Sequence, residues 1–397
     1  MTGTTIGITN ADAAPSLDRL TGVLLLTFVA AIQISIVAAE VLLAALVVCW
    51  AAGLVRDRSR PAAPAFFLAF LAYAALTLVS TAFSVDPRAS LVDSKELLLF
   101  LVVPIVFDLA RGPRARTVLG VVITVGAVAA AYGIVQYAML HYDSLGQRPR
   151  GTLGHYMTYS GALMLVIGVT AARLVFGVRD RAWAALVMPA LVVALTLTLT
   201  RSAWVGTCLA VGLLFILKDF RLTALVPVVV ALLFALAPDS VTSRMVSMFD
   251  LQDPTNRDRL AMMRSGSAMV RDHPLLGVGP DMVERLYPEY RDARAVQETN
   301  PHLHNVPLQI AAERGLPALA AWVAAIGLLT VGLFRLFHAG GERTLPAGGL
   351  AAVVGMLAAG FFEYNFGDSE FLLLFLVLVT LPFAAARRDD AAPTARA

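Results

Sequence analysis

Residues 183–217 read WAALVMPALVVALTLTLTRSAWVGTCLAVGLLFIL. Two apolar runs, 183–199 and 203–217, are joined by Thr200-Arg201-Ser202 and nothing more. A membrane-spanning helix takes about 20 mostly apolar residues. Two such runs on so short a turn predict an antiparallel helical hairpin within a bilayer. Arg201, at its tip, then lies close to the hydrocarbon boundary. Its side chain either snorkels toward headgroup phosphate or offers a bidentate fork to a phosphate of a lipid substrate. Position alone does not separate these two roles.

The rest of the chain repeats the pattern. Of 397 residues, 58% are hydrophobic and only 15% charged, against roughly 25% charged in a soluble domain. Apolar spans read at about 20–36, 38–55, 62–83, 96–109, 116–140, 157–176, 183–199, 203–217, 222–237, 317–337, 347–362 and 370–386. In 20–55 the main polar interruption is Glu40, and 96–109 is short. Short basic loops alternate along this series: Arg56, Arg58 and Arg60; Arg111, Arg114 and Arg116; Arg179 and Arg181; Lys218 and Arg221; Arg335 and Arg343; Arg387 and Arg388. The positive-inside rule assigns these loops, and both termini, to the cytoplasm. The expected fold is an all-α polytopic membrane protein of about 12 transmembrane helices with a helical periplasmic loop subdomain. Residues 1–237 hold helices 1–9, residues 238–316 the large loop, residues 317–388 helices 10–12, and residues 389–397 a cytoplasmic tail.

Composition also excludes. A net charge of +3, scattered along the chain, does not make a nucleic-acid surface. Cys49 and Cys208 both fall in apolar segments, without a disulfide framework or zinc spacing. Residues 1–18 lack a basic n-region, so no cleavable signal is expected. No Asp-x-Asp pair stands in the loops facing away from the cytoplasm, and no glycine-rich nucleotide loop is present. Neither ATP nor a nucleotide sugar is the expected driver, and no cofactor is expected.

Polar residues near membrane depth are costly and mark function. His304 and Asn305 stand where the large loop feeds the tenth span, in Pro301-His302-Leu303-His304-Asn305. A helix beginning there puts His304 in its first turn, where the helix dipole disfavours imidazolium and suits a general base. The plainer role is a loop hydrogen bond. His302 and His304 also resemble half a metal site, but third and fourth ligands are needed. His141, His155 and His273 share that side without metal-ligand spacing, so no metal is expected. The large loop carries Arg244, Arg257, Arg259, Arg264, Arg271, Arg285, Arg291 and Arg294 among acids that make much of it ordinary surface. Arg257, Arg264 and Arg271 share one face of a helix capped by Thr255 or Asn256. Arg148 and Arg150 precede Gly151 on the same side and suit a pyrophosphate. For Glu40, Glu363 and Glu370, buried pairing with arginine is the expected role.

Three stretches resemble the O-antigen ligase and polymerase superfamily. His304-Asn305, nine residues and Gly315 match the histidine pattern of the ligases. Arg259-Leu260, followed by Asp272-His273-Pro274-Leu275-Leu276-Gly277-Val278-Gly279-Pro280, and Thr200-Arg201-Ser202-Ala203-Trp204-Val205-Gly206 match the superfamily more widely. Met262 and Met263 stand where a Trp is usual. The resemblance spans about residues 60–385 and is strongest over 195–320. It implies a membrane glycosyltransferase of type C and an O-antigen ligase of the inner membrane. Such an enzyme moves a glycan from an undecaprenyl-pyrophosphate donor to a sugar hydroxyl of a lipid A-core acceptor on the periplasmic face, inverting and without metal, among membrane lipids. His304 would be the base, Arg201 and Arg259 the catalytic pyrophosphate ligands, and Asn305, Arg264, His302, Arg150 and Arg257 substrate-binding. O-antigen polymerase and protein O-oligosaccharyltransferase are the nearest alternatives. A transporter or lipid flippase is the alternative of another class, disfavoured by the lack of an internal repeat.

Overall fold

The computed structural model describes residues 13–178 and 180–387. Arg179, Arg388, residues 1–12 and the expected tail 389–397 lie outside the described residues. The fold is all-helical. Its first half runs α1 (Ala13–Ile32), α2 (Ile36–Arg56), α3 (Phe66–Ala82), α4 (Pro87–Asp93), α5 (Val102–Leu109), α6 (Pro113–Met139), α7 (Tyr156–Phe176) and α8 (Arg181–Leu197). Then follow α9 (Arg201–Lys218), α10 (Leu225–Leu236), α11 (Asp239–Val246), α12 (Pro254–Asp272), α13 (Val283–Tyr290), α14 (Val306–His338), α15 (Thr344–Gly360) and α16 (Ser369–Ala386).

Each expected span meets a helix. The first two separate not at Glu40 but at residues 33–35, where the Ser35 hydroxyl caps the start of α2. The short 96–109 span is a 3-10 helix, Ser94–Leu101, running on into α5. The 183–217 hairpin is α8 and α9, with Thr200 between a left-handed Leu199 (φ 55°) and Arg201.

Among the described residues, six helices are long and apolar enough to cross a membrane: α2, α6, α7, α9, α14 and α16, with α6 extending to Leu140. Their burial differs in a way that orders them. The apolar windows of α7 and α16 are 78% and 72% buried, that of α2 only 22%. A helix apolar all round and packed all round is interior; one apolar all round and bare faces lipid. Around this centre α14 packs on α3, and α15 packs on α7 and α9.

Described residues of four of the expected basic loops meet at one end of the bundle. Asp108 there accepts from the Trp50 indole (3.0 Å), Arg111 and Arg387 (3.1 Å), Arg56 pairs with Asp18 (3.4 Å), and Arg116 with Glu342 (2.5 Å). Helices α11 to α13 belong to the large 238–316 segment. Asp253, rather than Thr255 or Asn256, caps α12, accepting from both their amides (3.0 and 3.2 Å). The face of α12 carrying Asp258, Ala261, Met262, Ser265, Gly266 and Met269 is buried. Met262 fills a small core with Met269, Val283, Tyr287, Leu303 and Ala312.

Candidate active site

Two backbone approaches place the histidine segment. Helix α14 is interrupted at Gly315, whose φ of 82° and ψ of 168° suit glycine alone. A Cβ at Gly315 would overlap the Leu275 carbonyl, and one at Gly277 (φ 67°) would overlap the Glu313 carbonyl. With both side chains absent, the 273–279 loop lies against the break. Val278 N–H donates to Ala312 (2.9 Å), Gly279 N–H to Glu313 (2.9 Å), and Leu316 N–H to Pro274 (2.8 Å). The two sequence motifs are thus halves of one clasp. The nine residues before Gly315 are the helical arm from Val306 to Arg314. Arg314 anchors that arm from inside, donating to Glu313 (2.5 Å), Asp93 (3.3 Å) and Tyr364 (3.4 Å).

Asn305 is the N-cap of α14, its Oδ1 accepting from Leu308 N–H at 2.9 Å, a contribution of about 1 kcal/mol. Its Nδ2 donates to the Phe361 carbonyl at 3.2 Å, binding the arm to the α15–α16 turn. His304 therefore stands just before the cap, not in the first turn, with left-handed φ 48°. Glu363, from that turn, receives both histidines: His302 Nε2 lies 2.9 Å from Oε1, and His304 Nδ1 3.0 Å from each oxygen. The imidazole rings sit 4.3 Å apart between centroids. Burial alone would raise the Glu363 carboxyl; His304 and His302 outweigh it and hold the group well below the usual carboxylate range. The expected arginine partner of Glu363 is thereby corrected to a histidine pair. The turn faces the histidine loop, so the imidazoles are the partners within its reach. Glu40 and Glu370 pair with no arginine among the described residues. Glu363 is also the third ligand-type side chain that spacing along the chain did not supply; the three donor atoms lie within 4.8 Å of one another.

Beside this trio lies an arginine field. Arg201 is 5% exposed. Its guanidinium donates to Ser247 O (3.0 Å), Ser247 Oγ (3.1 Å) and Asp253 Oδ1 (3.3 Å). It thus faces inward rather than snorkelling. Arg244 shares Asp253 at 3.8 Å; burial, then the charges of Arg201 and Arg148, push it down to about 10. Arg259 is lowered by burial while the Glu363 carboxylate draws it up, and its Nε is buried without a hydrogen-bond partner. Arg148 lies over the Tyr156 ring at 4.2 Å, within electrostatic reach of Arg201. Asp253 answers this field; burial would raise it, and Arg201 leads the contacts that lower it. Against the trio a cavity of about 200 Å³ is lined by His155, Thr158, His302, Glu363, Tyr364 and Asp368. Burial lowers His155, so its ring is neutral near pH 7.

Of the sequence candidates, His302, His304, Asn305, Arg201 and Arg259 come together. Three do not. Arg264 is half exposed and pairs with Asp292 at 3.6 Å. Arg257 points to the surface, because the 257–264–271 row is the outward face of α12. Arg150 is exposed, with its backbone N–H held by Gln136 (3.0 Å); its neighbour Arg148 turns in instead. Arg148, expected with Arg150 at a pyrophosphate, joins the site, and Glu363, Asp253 and Arg244 complete it without having been assigned to it by sequence. For Glu363 the available signal was a carboxylate opening a turn, with Asp368 and Glu370 at its other end, between two apolar runs.

An all-helical, multi-pass membrane protein with an arginine field beside a histidine–carboxylate trio is the class so defined. A family model described as O-Antigen ligase matches residues 184–323, so this part of the chain is similar to the O-antigen ligase domain. The matched stretch holds Arg201, Arg244, Arg259, both histidines, Asn305 and Gly315; Arg148 and Glu363 lie outside it. A search of curated proteins returned no match. The family supports a ligase- or polymerase-type glycosyltransferase function on a lipid-linked glycan and a lipid acceptor.

Proposed function

We propose that the protein is an O-antigen ligase, transferring a glycan from undecaprenyl pyrophosphate to a sugar hydroxyl of lipid A-core on the periplasmic face of the inner membrane. The observation that carries this reading is the adjacency of His304–Glu363 to Arg259, a half-buried arginine whose Nε is buried and unpartnered. Pyrophosphate is already a good leaving group, so the site must chiefly stabilise its growing charge. Fixed guanidinium groups do this without a metal ion, and preorganised charge of this kind is often the largest catalytic contribution. Arg259 meets the pyrophosphate directly, Arg201 from its bracket of Ser247 and Asp253, with Arg148 and Arg244 adding field.

The acceptor hydroxyl loses its proton as its oxygen attacks the anomeric carbon. Glu363 accepts from His304 Nδ1–H, which leaves the lone pair on Nε2 for that proton. General-base assistance is typically worth about 10²–10⁴ in rate. In-line displacement of the pyrophosphate inverts the anomeric centre. The large segment 238–316 serves as the periplasmic subdomain over this centre, between helix sets 1–237 and 317–388, with the termini cytoplasmic.

The test is transfer in detergent from undecaprenyl-pyrophosphate glycan to rough lipopolysaccharide, in excess chelator, by wild type and His304→Ala. Retained transfer by wild type, lost in the variant, supports a metal-free ligase. Elongated lipid-linked glycan without lipopolysaccharide product would make it a polymerase. No transfer by folded wild type to either acceptor would overturn the reading.

A further inference from the structure

We propose that His302, His304 and Glu363 form a binding site for a divalent transition-metal ion of the zinc type, and that filling it silences the transferase. The binding half stands on geometry alone; the silencing half rests on the function proposed above.

Imidazole nitrogen and carboxylate oxygen are the donor set that suits zinc and its neighbours. Bonds of about 2.0–2.2 Å place adjacent donors roughly 3–3.5 Å apart. Here the two nitrogens lie 2.9 and 3.0 Å from one Glu363 oxygen and all three donor atoms within 4.8 Å of one another, so a small adjustment of the side chains, not a rearrangement, separates the trio from a coordination shell. The donors are preset from both sides. Asn305, next to His304, donates to Phe361, two residues before Glu363. Tyr364 N–H holds Glu363 Oε1 at 3.0 Å. The 200 Å³ cavity beside His302 and Glu363 has room for water as a fourth ligand. Asp368, on its far wall, adds a second carboxylate to offset the arginine field.

Silencing follows from which nitrogen the ion takes. In the transfer reaction His304 keeps its ring proton on Nδ1 and its lone pair on Nε2. An ion on Nδ1 needs the lone pair there. The one proton of the neutral ring therefore moves through solvent to Nε2, with none released, and the base is lost. Metal-free catalysis and metal inhibition are two states of the same three side chains.

Untagged full-length protein in detergent, stripped with chelator and desalted, is titrated with Co²⁺, zinc's spectroscopic stand-in. The expected result is one equivalent bound with visible ligand-field bands, displaced by Zn²⁺. His302→Ala and Glu363→Gln weaken binding about a hundredfold or more, since even outer-shell losses cost 10–100-fold; His141→Ala leaves it unchanged. Size-exclusion profiles establish that each variant is folded. No bands in wild type, or equal binding in the trio variants, would overturn the site. In parallel, Zn²⁺ should abolish glycan transfer over the concentration range in which it binds, reversed by chelator. Binding with undiminished transfer would overturn silencing. Transfer absent even in chelator would overturn the ligase reading and with it the silencing, while the Co²⁺ titration judges the site.

Discussion

Replacing Gly315 with alanine tests whether the clasp positions the site. Two costs combine. At φ 82° and ψ 168° an L-residue pays about 1–3 kcal/mol in backbone strain. The new Cβ would also overlap the Leu275 carbonyl and come within 2.8 Å of Leu276 N. The 273–279 loop must then retreat, with loss of three backbone hydrogen bonds of 2.8–2.9 Å worth about 0.5–1.5 kcal/mol each. Together these come to about 3–7 kcal/mol. For 397 residues an unfolding entropy of roughly 2.1 cal/mol/K per residue gives about 1.2 °C per kcal/mol, so Tm should fall by about 4–8 °C. Intrinsic-fluorescence unfolding in detergent reads this directly. Because the arm from Val306 to Arg314 carries the histidine segment at its start, transfer should fail in variant protein still folded at lower temperature. Gly327→Ala, farther along α14 with nothing within 4 Å of its Cβ, should move Tm by no more than about 1–2 °C. A Gly315→Ala protein with wild-type Tm and transfer rate would refute the clasp.

Arg259→Lys should leave Tm unchanged, because its Nε makes no hydrogen bond, and lower kcat by about 10²–10³, the usual result of removing a preorganised donor, since lysine keeps the charge but not the fork; steady-state transfer kinetics check this. Arg264→Ala, half exposed and paired only with Asp292 across 3.6 Å, should stay within about 0.5 kcal/mol in stability and retain wild-type kinetics. Glu363→Gln should lower kcat more than it raises KM, since it loosens the base while leaving the arginines in place. Asp253 is lowered on folding, Arg201 leading the contacts that outweigh burial. Its stabilisation is therefore full above the ordinary aspartate value of about 3.9 and is lost as pH falls through the lower folded value. The Tm deficit of Asp253→Asn should accordingly be largest near neutrality and vanish in strong acid.

The fold was legible where one-dimensional pattern is enough. Apolar length and alternating arginines placed each span, and the 200–202 turn placed the α8–α9 hairpin. Helix boundaries set by side-chain caps were less legible. Ser35, Asp253 and Asn305 are caps, and only their contacts tell them from neighbouring Thr255 or Asn256. The site was legible where a residue type is rare for its position, as with Arg201 at a hairpin tip. Arg148 and Arg150 are alike in sequence; which turns inward depends on Gln136 holding the Arg150 backbone and Tyr156 receiving the Arg148 side chain. Likewise the row Arg257–Arg264–Arg271 is a regular pattern, and its regularity marks the solvated face of α12. Glu363 stayed hidden because its partners are 59 and 61 residues away, and no local spacing relates them.

That separation has a consequence for how the protein is made. His302 and His304 leave the ribosome ahead of α14, whereas Glu363 arrives only with the turn between α15 and α16. Asn305, too, has no Phe361 carbonyl to hold until that hairpin is inserted. The arginine field, drawn from residues 148–259, precedes all of these in the chain. The histidine–carboxylate trio is thus the last part of the site to be completed, and its completion waits on the final hairpin.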